Sequence, residues 1–426
     1  MELAFLLVFL AILLAMGVPV AFSLGVSSLA TFLLLDIPPI VALQRMAAGM
    51  SVFVLMAIPF FVFAGDLMAR TGIAERLVKV AEAAFGRARG GLGQVDVGAS
   101  MMFGAVSGSS VASVSAMGST LMPLMREKGY DADYAVNVTI TAAILGILIP
   151  PSHNMIIYAA ASPVSVSVGD LFLAGVVPGI LAGAALMFAA WRVAVKRNYP
   201  KGEFPGWGVF TRAFISALPG LMTAIIIVFG ILLGIFTPTE SSAVAVIYTI
   251  LVGVFVYRTL GFQKFMEAAS GAVKTTAMVM LIIGAAGMFG WLFALLEGPS
   301  ALAGALTSIS DSPVVVMLLI LLVLLILGAF MDMAPLIIIT TPIFLPIAME
   351  LGVDPVQFGI IMLLNLGIGL VTPPVGSVLF VGCAVGKARP EDVVRTIWPF
   401  YLALIAVMLM ITFIPGLTLW LPGLFK

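Results

Sequence analysis

The sequence predicts an all-α membrane protein of about ten transmembrane helices and two re-entrant helical hairpins, laid out as two repeats of inverted topology. Three observations predict it: the composition, the placement of the basic residues and an internal repeat. Of 426 residues, 62% are apolar and 9% charged, whereas a soluble domain carries about 25% charged residues. A globular core of this size would lack a charged skin. The net charge is zero, which indicates no nucleic-acid or polyanion partner. One cysteine, Cys383, and one histidine, His153, exclude a disulfide framework and a Cys/His zinc cluster. Met1-Glu2-Leu3 lacks a basic n-region and the apolar run continues to Leu35, so the start reads as membrane helix and not as a cleavable leader.

A helix of about 20 apolar residues, rising about 1.5 Å per residue, crosses a bilayer. The expected crossings lie near 2–16, 18–35, 49–69, 132–160, 171–191, 213–235, 239–257, 275–297, 352–383 and 397–420. The apolar stretches 94–125 and 313–350 fit only if each enters and leaves on one side. This layout puts every Lys and Arg on one face except Arg45 and Lys426. By the positive-inside rule the basic face is cytoplasmic and both termini are periplasmic. Gly17-Val18-Pro19 separates the first two helices. Residues 70–90, 37–48 and 258–272 read as amphipathic helices along the membrane surface, with 37–48 equally readable as a plain connector. Pro200, Gly202, Pro205 and Gly206 mark 192–212 as a cytoplasmic linker. It divides a first repeat, 1–191, from a second, 213–426.

The repeat shows as matches at an offset of 223 residues. Pro123 pairs with Pro346, Gly129 with Gly352, Asp131 with Asp354, and Pro150-Pro151 with Pro373-Pro374. Arg89, Arg126 and Lys128 flank the first hairpin, so it opens to the cytoplasm. Asp311, Glu350 and Asp354 flank the second, so it opens outward. Inverted repeats with broken helices place substrate and coupling ions near the bilayer midplane in secondary transporters.

The chemistry is expected at the hairpin tips and helix breaks. The first tip reads Ser107-Gly108-Ser109-Ser110-Val111-Ala112-Ser113. Irregular backbone at membrane depth lines a cavity or is buried in protein. Hydroxyl and carbonyl oxygens suit a hard monovalent cation such as sodium, and helix N-termini suit a carboxylate. Plain small-residue helix packing is the alternative. At the second tip, Asp332 pairs with Ser109 by the offset; it is read either as a cation ligand or as an N-cap of the returning helix. The breaks are Ile149-Pro150-Pro151-Ser152-His153-Asn154 and Val371-Thr372-Pro373-Pro374-Val375-Gly376-Ser377. Double prolines remove amide donors, and Ser152, Asn154, Thr372 and Ser377 add side-chain oxygens. His153 is read as structural or as a group for substrate or protons. Glu240 is assigned a structural role beside Thr239 as a helix cap, and Asp66 and Glu297 lie near span ends. No Walker-type phosphate loop and no HExxH pattern is present, so no catalytic residue is expected.

The strings SGSSVASVSAMGSTLMP, ILIPPS, GIFTPTESSAVAVIY and GVDPVQFGIIMLLNLGIGLVTPPVG together resemble the large membrane subunit of TRAP transporters, the DctM-type permease, over nearly the whole chain. The resemblance implies a scaffold and a transport domain that moves as an elevator. It implies import of a small organic acid (a C4-dicarboxylate, sialic acid, sugar acid or keto acid) driven by sodium across a bacterial inner membrane. It implies a small four-helix membrane subunit of DctQ type, on a separate polypeptide, and a periplasmic substrate-binding protein of DctP type. Sodium as coupling ion is the only cofactor implied. Carried onto this chain, Ser107, Ser109, Ser110, Pro150, Asn154, Met331, Asp332, Thr372 and Gly376 would hold sodium. Ser110, Ser152, His153, Asn154, Pro335, Pro374, Val375 and Ser377 would hold substrate. Two other readings stay open: a stand-alone carboxylate symporter or antiporter of related fold, and a membrane scaffold that transports nothing.

Overall fold

The computed structural model describes residues 1–426 apart from 203–205, 311 and 426, and apart from the side chains of 106, 303, 305–307 and 309. Pro205 of the linker, Asp311 beside the second hairpin and the basic Lys426 therefore lie outside the described residues. Among the described residues the chain is helical throughout, save one isolated bridge between Arg89 and Lys201. The first half runs α1 Glu2–Ala15, α2 Val20–Leu34, α3 Pro39–Met50, α4 Ala57–Arg70, α5 Ile73–Phe85, α6 Gly91–Ser107, α7 Ser110–Glu127, α8 Ala132–Ala143, α9 Leu145–Leu148, α10 His153–Ala161 and α11 Val168–Lys196. The second half runs α12 Trp207–Leu232, α13 Pro238–Leu251, α14 Phe262–Leu295, α15 Gly298–Ile309, α16 Pro313–Phe330, α17 Met333–Glu350, α18 Pro355–Leu370, α19 Ser377–Gly386, α20 Pro390–Thr396, α21 Trp398–Phe413 and α22 Gly416–Leu424.

Among the described residues seven helical stretches are long and apolar enough to cross a membrane, counting α4 with the 3-10 turn Phe53–Met56 before it and α13 with the π-helical turn Val252–Val256 after it, or nine if the bent pairs 132–161 (53°) and 390–413 (56°) each count once. Both arms of the second hairpin are among the seven. At 18 residues each they reach about 27 Å, close to the bilayer core. By contrast α1 and α2, with 14 and 15 residues, reach only about 21–23 Å, because Gly17 and Pro19 end one helix and start the next. α16 shows how an all-apolar helix sorts its faces. Met317, Ile320, Leu321 and Leu324 are buried, whereas Val314, Leu318, Leu322 and Ile326 are exposed, each stripe at helical spacing.

Three local expectations change. Residues 258–272 do not form a separate surface helix, because α14 runs unbroken for 34 residues. No proline interrupts it, and Glu267 on its first turns pairs with Arg70 at 2.5 Å. The amphipathic helix expected within 70–90 exists as α5, but its apolar face (Leu77, Val78, Ala81) is buried on α6 and α12 and not laid on lipid. The cap before α13 is Thr237 and not Thr239. Thr237 and Glu240 form a capping box, Glu240 Oε2 accepting from the Thr237 amide at 2.8 Å.

Packing sorts the helices into two groups. α14 packs on α2, α3 and α4, with α4 on α13 and α13 on α12. The second group holds both hairpins: α6 and α7 pack on α8, α16 on α18, and α11 on α21 and α22. Helices α5 and α15 touch both groups. A shift of 223 residues carries the bounds of α7 onto those of α17. The same shift lays α3 and α4 along α14, so the first half breaks at Ser51-Val52 where the second runs on.

The chain after α11 straps the base of the first hairpin, where α7 turns into α8. Arg197 donates to Asp133 through two nitrogens at 2.9 and 2.8 Å and to Asp131 at 2.9 Å. Tyr199 donates to Asp131 at 2.6 Å, and the Gly90 amide donates to Pro200 at 3.0 Å. Burial, and the hydrogen bond to Asp131, push the Tyr199 phenol up to about 12, so it remains a donor at any pH used for transport. A bidentate guanidinium–carboxylate pair is a strong charge-assisted bond. Arg197→Ala is expected to destabilise the protein by on the order of 2 kcal/mol, measured as a lower thermal unfolding midpoint in detergent.

Candidate functional site: the hairpin tips and helix breaks

At the first tip, α6 ends in Gly108 at φ +62° and α7 begins after Ser109, whose backbone is extended. Only a residue tolerant of the left-handed region turns the chain so tightly. The serines bond one another locally. Ser109 Oγ accepts from the Ala112 amide at 3.3 Å, Ser113 Oγ donates to Ser109 O at 2.9 Å, and the Ser107 and Ser113 hydroxyls lie 3.3 Å apart. The first break sits against this tip. Asn154 Nδ2 lies 3.5 Å from Gly108 O. A Cβ added at Gly108 would lie 3.2 Å from His153 Nδ1, so the imidazole flanks the turn. α4 closes the other side, where a Cβ on Gly65 would come within 3.0 Å of Ser107 O. Ser107, Ser110, Pro150, Ser152 and Asn154 are all buried. Ser152 Oγ is buried with no hydrogen-bond partner, a polar atom of the kind that a ligand satisfies.

The second tip meets the second break in the same way. The amides of Val375 and Gly376 donate to Ala329 O, the end of α16, at 3.0 and 3.2 Å. Ser377 Oγ donates to Asp332 Oδ1 at 3.4 Å. Asp332 stands at the N-cap position of α17, as expected, but its side chain accepts from no helix amide; its carboxylate faces Ser377 of the break. Thr372 Oγ1 donates to Ile368 O at 2.7 Å, committing its hydrogen to its own helix and leaving lone pairs. Unlike the first pair, this one is open: Asp332, Pro374 and Val375 are exposed, and Met331, Thr372 and Ser377 are half-buried. Pro335 and Gly376 are buried beneath them.

Each hairpin crosses its broken helix through glycines. A Cβ on Gly104 would penetrate the Cα of Gly146, and one on Gly369 would lie 2.6 Å from Gly328 Cα. The halves also interlock, since α10 beyond the first break packs on α17, and α19 beyond the second packs on α7. Both proline pairs, Pro150-Pro151 and Pro373-Pro374, are cis. The structure thus brings each set of predicted residues together as a tip with its own break.

One buried acid escaped the sequence reading. Asp96 on α6 is wholly buried and hydrogen-bonded to Ser100 and Thr139. The signal was present: Val95-Asp96-Val97 is an acid within an apolar hairpin, the same pattern that singled out Asp332. Of the acids that were noted, Asp66 is half-buried between α4 and Gly271 of α14, whereas Glu297 is exposed.

Residues 7–417 match the family model described as tripartite ATP-independent periplasmic transporter, DctM component. The sialic acid TRAP transporter large permease protein SiaM of Vibrio cholerae serotype O1 is 39% identical over 97% of this chain and 96% of its own length. The isethionate TRAP transporter permease protein DctMQ of Oleidesulfovibrio alaskensis is 38% identical over 97% of this chain, which spans 65% of that protein. Among solved structures, the YdaH transporter of Alcanivorax borkumensis aligns with a TM-score of 0.59 at 15% identity, covering 88% of this chain and 86% of that one. At that identity the likeness speaks for the fold alone.

Proposed function

This chain belongs to the family of DctM components of tripartite ATP-independent periplasmic transporters, is a transport protein and not an enzyme, and we propose that it imports a small organic acid driven by a sodium gradient. It works with a small membrane subunit and a periplasmic substrate-binding protein, in the bacterial inner membrane with both termini periplasmic. Relatives named for sialic acid and for isethionate support a small organic anion as the substrate.

The observation that carries this reading is the contact of each hairpin tip with the break of its own half. Sodium is held at the tips and breaks. The first group is Ser107, Ser109, Ser110, Pro150 and Asn154, and the second is Met331, Asp332, Thr372 and Gly376, through hydroxyl, carbonyl, carboxamide and carboxylate oxygens. The substrate anion lies between, against Ser110, Ser152, His153, Asn154, Pro335, Pro374, Val375 and Ser377, where the N-termini of α7, α10 and α19 turn amides toward negative charge. The helix group that holds the hairpins moves as an elevator against the group built on α14, with α5 and α15 as connecting arms. The test is uptake of a panel of radiolabelled organic acids into proteoliposomes holding this chain and its small subunit, with a loaded binding protein outside. One acid is expected to accumulate under an inward sodium gradient and to stop when that gradient is collapsed. Accumulation indifferent to sodium would remove the ion sites.

A further inference from the structure

Asp96 has no role in the mechanism above, and its surroundings are unusual. It lies on α6 at 0% exposure, two turns before the Gly104 crossing. Its Oδ1 accepts from Ser100 Oγ at 3.3 Å, and its Oδ2 meets Thr139 Oγ1 on α8. Thr139 Oγ1 also stands 2.9 Å from Ala135 O. No described Lys, Arg or His pairs with Asp96. The ionisable groups on the helices packed around α6 are engaged elsewhere or turned outward. On α8, the Tyr134 hydroxyl donates to Ala190 O and Asp133 holds Arg197. On α5, Glu75, Lys79 and Glu82 are exposed and Arg76 lies over the Tyr257 ring. On α4, Arg70 pairs with Glu267 and Asp66 faces Gly271. On α7, Arg126 donates to Gly386 O and Glu127 is exposed. On α11, Asp170 is on the first turn and Arg192 and Lys196 are exposed near the end, and on α12 Arg212 is exposed.

An ionised carboxylate here would have two hydroxyl donors, no described cationic side chain beside it and no access to bulk solvent. Thr139 moreover has one hydroxyl hydrogen and two acceptors within reach. A single added proton resolves both. If Asp96 Oδ2 carries it, that O–H donates to Thr139 Oγ1, Thr139 donates to Ala135 O, and Ser100 donates to Oδ1, so each hydrogen has one acceptor. We propose that Asp96 is a proton-binding site: a neutral carboxylic acid whose bond to Thr139 ties the entering arm of the first hairpin to the helix it crosses. Asp96 is a positioning residue, acting through the α6–α8 contact on the tip that α6 carries.

Infrared spectroscopy of the purified protein in lipid reads the protonation of Asp96 directly, and uptake by the variants reads its effect on the tip. A protonated-carboxyl band should be present in the wild type, absent in Asp96→Asn, and retained when the buffer is made mildly alkaline. Thr139→Val, which removes the partner and keeps the shape, should shift that band and not abolish it. Asp96→Asn offers the same donor and acceptor, so its uptake should stay within about twofold of wild type, whereas Asp96→Ala should lose about tenfold or more. No band lost in Asp96→Asn, or a band that Thr139→Val leaves in place, would overturn the proposal. Asp96→Asn failing as badly as Asp96→Ala, with a raised sodium requirement, would assign the oxygens to a sodium ion instead.

Discussion

Alanine in place of Asn154 should raise the sodium concentration needed for half-maximal uptake by about tenfold or more, because a buried polar group stripped of its partner costs about 1–3 kcal/mol and 1.4 kcal/mol is a factor of ten. Asn154 heads α10, is 5% exposed, and its carboxamide reaches Gly108 O at the turn of the first tip. Removing it leaves the Gly108 carbonyl without that donor and takes away the carboxamide oxygen proposed to hold sodium. The equivalent change at the second pair, Ser377→Ala, should do less. Ser377 is half-buried and beside an exposed Asp332, so water replaces what the hydroxyl supplied. The measurement is initial uptake rate against sodium concentration for both variants, with surface expression matched. Equal effects, or no change in the sodium requirement of Asn154→Ala, would detach the first tip from the coupling ion.

Valine at Gly104 should prevent the protein from accumulating in the membrane as a folded monodisperse species. Its Cβ would occupy the space of Gly146 Cα, which is backbone and cannot rotate away. Overpacking a core usually costs about 1–3 kcal/mol when side chains can shift, and here α6 and α8–α9 would have to separate. Gly369→Val should act likewise at the second crossing, against Gly328. Gly208→Ala is the control, because no atom lies within 4 Å of an added Cβ there and its backbone is ordinary helix. Size-exclusion profiles of the three variants in detergent decide the matter. Normal profiles for Gly104→Val and Gly369→Val would mean that the crossings are looser than drawn.

Much of this architecture was legible because turn residues carry strong local rules. Gly108, Gly129, Pro150-Pro151 and Pro373-Pro374 fixed where helices stop, and the structure places hairpin turns and breaks at those points. The candidate residues at each tip and break were found for the same reason. What was not legible depends on long-range packing. The apolar face of α5 suits lipid and protein equally, and only the positions of α6 and α12 decide between them. Residues 258–272 are polar enough to end a span, yet no proline separates them from it, and α14 runs through both for 34 residues. The glycine crossings were invisible, since one glycine among 43 does not announce its partner. Asp96 carries the same sequence signal as Asp332, an acid within an apolar hairpin, but its partners Ser100 and Thr139 come together only in the fold.

Central to the proposed function is that this chain moves an organic anion only as part of a sodium-driven assembly fed by a binding protein. The direct test is uptake of the identified acid into proteoliposomes holding this chain and its small subunit, omitting in turn the binding protein, the small subunit and the inward sodium gradient. Uptake should vanish with each omission. Uptake that persists without the binding protein would make the chain a stand-alone symporter and contradict the account.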